Sequence, residues 1–473
     1  MYTAMERIGN RALKNGMLAQ GLCFSLCFFA FQLTEFTVND HAAALLGASA
    51  VNRVYAAGIA CTAFGFASFS MLRKLFKGET SQKVVQCAIG LLAVIASQLV
   101  ATTASATVFL PAAFLSLLCL GNIGGCVYYN YAMTFSGSRF SGRVAGVGMG
   151  CAVLLQYFVQ NLLVTNAAFT SSVALSVTFL IYFAVRPPRD WMFENPLPYS
   201  SDNRTEKTAA LTLCAAVTLM SLIMGLIDGV VVERHTQGQL SVSANARLFY
   251  AFSLPAAGFA ADWDGRKYFP LATACMMFAS TVSNALLSSK STFFFATAVM
   301  YVYAGFYVMF LTVAFLDFAP QTGDPALWAG MGRILRGVVT ALTAIPMPLL
   351  FKAFGSPTAV ALGCALSVVT LLLLLKSITR AFGAHTNAPA ERRLFPEKET
   401  VCAYAAACGM TPREAEVFEK LITSEDGTQE IANALFISRR VLQRYIAAIY
   451  EKTGAKSRVG LFQSYAVFLD AAK

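Results

Sequence analysis

Six basic side chains, Arg439, Arg440, Arg444, Lys452, Lys456 and Arg458, fall within twenty residues that hold a single acid, Glu451. Ser438 precedes them as a helix N-cap, and Gly454 closes the segment. Leu442, Ile446 and Ile449 recur at helical spacing and turn inward, which leaves Arg439, Arg440, Gln443 and Arg444 outward near the N-terminal end. Guanidinium forks match guanine edges and phosphates, and a Gln carboxamide matches adenine, so the chemistry on offer is recognition of double-stranded DNA. Solvation alone also produces charged faces, and the domain from Glu397 on balances ten basic against ten acidic residues. Nothing comparable points to catalysis. The sequence has no P-loop and no nucleophile–base–acid arrangement, and His41, His235 and His385 are scattered. Of the twelve cysteines, ten lie in apolar runs and none forms a C-x-x-C pair. A chain that is not an enzyme, with no cofactor and no metal site, is the expectation.

A second set of ionisable residues stands out by its setting. The chain has 473 residues, 57% of them hydrophobic and 13% charged, with a mean hydropathy of +0.59. A soluble chain carries about 25% charged residues, so lipid must be the solvent for most of this one. Apolar runs long enough to cross a bilayer occupy roughly 17–38, 51–72, 84–104, 108–133, 144–165 and 169–185. After a polar stretch at 186–207 they resume at 209–232, 247–262, 268–288, 292–318, 329–351 and 357–379. Met17–Val38 continues as a full span without a small-residue cleavage site. Loops on the side of the termini hold seventeen Lys and Arg against five opposite, counting Arg333 and Arg336 as juxtamembrane anchors. The positive-inside rule then makes both termini cytoplasmic, and the formal charge of +11 reflects those basic loops.

The two sets of six repeat at an offset of 193 residues. Gly65-Phe66-Ala67 aligns with Gly258-Phe259-Ala260, Arg73-Lys74 with Arg266-Lys267, Glu35 with Asp228 and Arg143 with Arg336. Arg53 and Arg247 agree within one residue. Two six-helix bundles with a cavity between them are implied, as repeats about 1–186 and 207–380. The segment Gly258, Asp262, Gly265, Arg266, Lys267 resembles the G-x-x-x-D-x-x-G-R-K loop of the major facilitator superfamily. In transporters of that family the loop helps to stabilise one alternating-access state. The first-half loop has Phe69 for the Asp and Leu72 for the second Gly. Charges within spans are costly and mark function by default. Glu35 and Asp228 lie toward the outer ends of spans one and seven, which line the cavity in the family that the chain resembles. Together with Arg53, Arg247, Tyr128, Tyr131 and Tyr307 they are candidate ligand contacts; the bland alternative is that Glu35–Arg53 and Asp228–Arg247 are rim salt bridges.

From Arg380 the composition changes. Residues 381–396 read as a linker with Gly383, Pro389 and Pro396, and 397–473 as a four-helix domain. Thr411-Pro412-Arg413-Glu414 is a capping box with Pro at N1. Thr428–Leu435 and the Ser438-capped helix, joined at Phe436-Ile437, form a helix-turn-helix. Met410-Thr-Pro-Arg-Glu414-x-Glu416-Val417, Glu430-Ile431-Ala432-x-x-Leu435-x-Ile437-Ser438 and Ile449-Tyr-x-Lys452-x-Gly454-Ala-x-x-Arg458 resemble the LuxR-type (FixJ/NarL-like) DNA-binding domain. The resemblance places Gln443 and Arg444 at bases and Arg439, Arg440, Tyr445 and Lys452 near phosphates. It gives Thr411, Glu414 and Glu416 structural roles, and it implies dimers on paired half-sites. Where the family runs Thr-Val-Lys-x-His, this chain has Val441-Leu442-Gln443-Arg444-Tyr445.

The chain therefore reads as all-α: a twelve-helix transmembrane bundle (1–380), a linker and a helix-turn-helix domain. Its expected function is a membrane-embedded one-component regulator that couples an unidentified small ligand to promoter DNA. The alternative is a secondary transporter carrying a regulatory DNA-binding domain.

Overall fold

The computed structural model describes residues 2–76, 79–135, 140–162, 165–185, 203–236, 246–288, 292–386, 398–423, 428–455 and 458–471. Lys456 and most of the expected linker lie outside them. The chain divides into two compact units, Met1–Ala381 and Phe382–Lys473.

Among the described residues, the first unit holds twelve α-helices in two sets of six. The first set is α1 (Tyr2–Leu46), α2 (Ala48–Leu75), α3 (Glu79–Thr102), α4 (Ala106–Thr134), α5 (Ser141–Leu162) and α6 (Asn166–Val185). The second is α7 (Asn203–Thr236), α8 (Ala246–Ala261), α9 (Phe269–Ser283), α10 (Phe293–Phe318), α11 (Pro325–Thr343) and α12 (Pro346–Thr386). Among the described residues, eight helices are long and apolar enough to cross a membrane. The surface supports that solvent. Phe64, Leu91, Phe179 and Leu372 all stand exposed, an arrangement that water penalises and lipid does not.

Two cross-half crossings, α5 with α8 and α2 with α11, hold the sets together. Gly142, Gly146 and Gly150, spaced four apart, let α5 approach α8 to backbone contact: a Cβ on Gly146 would meet the Leu254 carbonyl at 2.5 Å, and one on Gly258 the Gly142 carbonyl at 2.4 Å. Lipid offers no hydrophobic drive for helix pairing, so such close van der Waals packing supplies it. One aromatic-rich core runs through both sets, with Phe24 against Tyr128 and Tyr131 at 4.6 Å each.

The second unit holds α13 (Lys398–Ala407), α14 (Pro412–Thr423), α15 (Thr428–Ala434), α16 (Arg439–Thr453) and α17 (Arg458–Ala471). Val401, Tyr404, Phe418, Leu421, Ile431, Leu442, Ile449, Leu461 and Tyr465 close a core of its own. Local signals set the ends. The Thr411 amide donates to Glu414 Oε2 at 2.6 Å and the Glu414 amide to Thr411 Oγ1 at 3.3 Å, a closed capping box. Ser438 Oγ accepts from the Val441 amide at 3.3 Å, and Gly454 takes the left-handed conformation (φ 69°) that ends α16.

Candidate functional site

The loop motif between α8 and α9 works as a clamp. Asp262 follows the last residue of α8, and its carboxylate accepts the Gly142 amide at 2.8 Å and the Arg143 amide at 2.7 Å. Those amides open α5, where the helix dipole favours an anion. Burial pushes the Asp262 carboxyl above its ordinary value, against the lowering pull of the two amides and of Arg266 and Arg143. Gly265 and Arg266 belong to the tight turn that follows, and Lys267 lies 4.0 Å from Asp264. Arg266 pairs with Asp317 at the end of α10 and donates to Ser141 Oγ at 2.5 Å.

The other crossing is built differently. Where the first-half loop has Phe69, the carboxylate comes from the opposite helix: Asp324 caps α11 through the Leu327 amide and accepts from Ser70 Oγ at 2.8 Å and Lys74 Nζ at 2.5 Å. Burial would raise the Asp324 carboxyl, but those bonds outweigh it and hold it below the ordinary value. Arg73, aligned with Arg266, stacks 3.9 Å over the Tyr129 ring and pairs with no acid among the described residues.

Between the halves lies a cavity of about 570 Å³ including its open mouth, walled mainly by Phe24, Phe28, Ile59, Phe66, Leu120 and Tyr128. Its cations differ from expectation. Arg333 and Arg336 are not juxtamembrane anchors. Asp324-Pro325 starts α11 at residue 325, so Arg333 sits about 12 Å along the helix axis from that end. Both side chains line the cavity. Their removal from the loops leaves fifteen basic residues against five in the positive-inside comparison. Arg143 is the third residue of α5 whereas Arg336 is the twelfth of α11, so the 193-residue register does not hold there. Arg333 Nε donates to the Tyr128 hydroxyl at 2.7 Å, a bond across the halves.

The remaining candidates separate. Glu35 is buried on α1 and acts electrostatically on Arg247 and Arg336, while Arg53 is exposed and forms no pair with it. The expected rim pair is thus replaced by a cross-half cluster, in which Arg247 donates to Gln32 Oε1 at 2.8 Å and lies 3.8 Å over the Phe36 ring. The Asp228 side chain lies outside the described residues. Tyr131 donates to the Ser141 carbonyl at 2.5 Å, and Tyr307 shares a 2.6 Å bond with Ser221 and acts electrostatically on the cavity-lining Arg336.

In the second unit, Arg439, Arg440, Gln443 and Arg444 are exposed on the first turns of α16. Tyr445 packs partly against the core, with the Arg444 guanidinium 5.9 Å from its ring centre. Lys452 is occupied within the domain: Nζ donates to Glu414 Oε2 at 2.7 Å and to the Gly409 carbonyl at 2.9 Å. The Lys452 bond, followed by the Thr411 amide, holds the Glu414 carboxyl below the usual carboxylate range. Arg458 likewise donates to the Leu421 carbonyl at 2.6 Å.

These features define a class: a DNA-binding helix-turn-helix carried by a transporter-like membrane bundle. Residues 409–465 match the family model described as bacterial regulatory proteins, luxR family, so the chain carries a LuxR-family domain at its C-terminus. The comparison with curated proteins finds no match. Among solved structures, the human organic anion transporter MFSD10 (TETRAN) is similar in fold, with a TM-score of 0.52 at 16% identity over 77% of this chain and 99% of that one. The first unit accordingly has the major-facilitator fold.

Proposed function

We propose that the chain is a membrane-embedded one-component transcription regulator. A small ligand enters the cavity between the halves and binds one arrangement of the two bundles more tightly than the other. Without that difference in affinity nothing would be transmitted. The shift alters how α16 is presented to promoter DNA, with Arg444 and Gln443 at base edges and Arg439 and Arg440 at phosphates. Both termini face the cytoplasm of a bacterial inner membrane, residues 381–396 tether the domain, and dimers form on paired half-sites.

The observation that carries this reading is the joining, in one chain, of a bundle whose cavity holds cations with a helix-turn-helix whose basic N-terminal turns are exposed. A reporter fused to the bound promoter that responds to a compound, in cells and vesicles showing no uptake of it, supports sensing. Uptake into proteoliposomes that is abolished by Asp262→Asn supports instead a transporter with a regulatory domain, which the intact Asp262 clamp favours.

A further inference from the structure

Arg333 and Arg336 stand three residues apart on α11, so their guanidiniums project from one helix face into the same cavity. Arginine stays charged in proteins and carries five N–H donors. Arg333 spends its Nε on Tyr128 and directs Nη2 at the Met149 sulfur, 3.9 Å away. Arg336 makes no hydrogen bond and no ion pair among the described residues. Arg333 has no carboxylate partner there either; its guanidinium rests 5.1 Å from the Phe28 ring centre and 5.6 Å from that of Tyr128. The groups that act electrostatically on Arg336 are Tyr307 on α10, Tyr55 on α2, Tyr250 on α8 and Glu35 on α1, and Glu35 acts on Arg247 as well. Among the described residues, Arg247 and Arg336 thus share one carboxylate, and Arg333 has none.

Two like charges one turn apart at membrane depth repel each other and are costly unless an anion neutralises them. The rest of the wall is mostly apolar and largely aromatic, with Phe24 and Phe66 packed against the Tyr128 ring and Phe28 beneath the Arg333 guanidinium. Resting on the sensor reading above, we propose that the cavity takes an organic carboxylate with an aromatic or aliphatic body. The carboxylate lies between Arg333 and Arg336, where fork geometry suits two acceptor oxygens. The apolar body lies against Phe24, Phe28 and Phe66. Such an occupant bridges α11 of the second half to α1, α2 and α4 of the first, which gives it different contacts in each arrangement of the halves.

The test uses the full chain in nanodiscs and a series of probes: benzoate, 3-phenylpropionate, 5-phenylvalerate and octanoate, each beside its primary amide and the matching amine. At least one carboxylate is expected to raise the melting temperature, to bind about tenfold or more tighter than its amide, and to lose that advantage in Arg336→Gln. The wild-type comparison of acid with amide stands even if the variant fails to fold. No binding by any carboxylate, or equal binding of acid, amide and amine, overturns the assignment. A reporter driven by a neutral or cationic compound would overturn it while leaving the sensor reading intact. Carboxylate binding without any change in promoter occupancy would do the reverse.

Discussion

The Asp262 carboxylate accepts the Gly142 amide at 2.8 Å, so the turn after α8 caps the start of α5 and joins the two halves on one side of the bundle. At the other crossing the geometry is inverted: α11 is capped by its own Asp324, which reaches back to Ser70 and Lys74 on α2. The clamp is therefore present twice, with the acid supplied once by a loop and once by a helix N-cap.

Removing the loop acid should loosen its side. Losing an N-cap costs about 1 kcal/mol, which multiplies an opening equilibrium roughly fivefold. Asp262→Ala is expected to speed alkylation of a cysteine placed at Ser141, followed site by site by mass spectrometry. An unchanged rate would mean that the bond is incidental.

The Asp324 arm should be milder in one respect. Asn keeps the capping oxygen but discards the Lys74 pair, whose lysine is largely exposed, and exposed pairs contribute about 0–1 kcal/mol. Asp324→Asn should lower the melting temperature of the bundle less than Asp324→Ala does. Equal losses would show that the charge, and not the cap, carries the contact.

Much of this was legible in the sequence, because local rules wrote it. The capping box at Thr411, the Ser438 cap and the Gly258–Lys267 loop are short motifs whose geometry needs no knowledge of distant residues. The cavity was harder. An apolar run beginning at residue 329 leaves Arg333 and Arg336 near the span end, whereas Asp324-Pro325 starts α11 earlier and carries both arginines inward. The cap-then-proline signal was present and would have placed them. The i, i+4, i+8 glycines of α5 were equally visible, but their meaning depends on which helix lies opposite. Lys452 shows the limit of motif transfer: its bond to Glu414 depends on how α16 crosses α14.

That bond makes the helix-turn-helix domain acid-sensitive. Glu414 titrates below its ordinary 4.5 when folded, so its contribution is present above that value and is lost as pH falls through the lower, folded one. Residues 397–473, which close their own core, should lose melting temperature on acidification below about pH 4.5, and Lys452→Met should flatten that part of the curve. Identical acid profiles for the two would contradict the pairing.

DNA binding should divide the arginines. Arg440→Ala is expected to weaken binding to all sequences and to lower the salt slope by about 1, whereas Arg444→Ala should cost about 1–3 kcal/mol at the preferred site and relax its sequence preference. Lys452→Met, judged at a temperature where the domain is folded, should leave the salt slope unchanged. Electrophoretic or fluorescence titrations across a salt series separate the three outcomes.

Coupling between the bundle and the DNA is decided by mapping promoter occupancy in cells for three forms at matched levels: the full chain, the chain with Asp262→Ala and Asp324→Ala together, and residues 397–473 alone. The same sites should be occupied by all three, with occupancy shifted several-fold when the clamps are removed. Equal occupancy in all three forms would make the twelve-helix bundle an anchor and not a sensor.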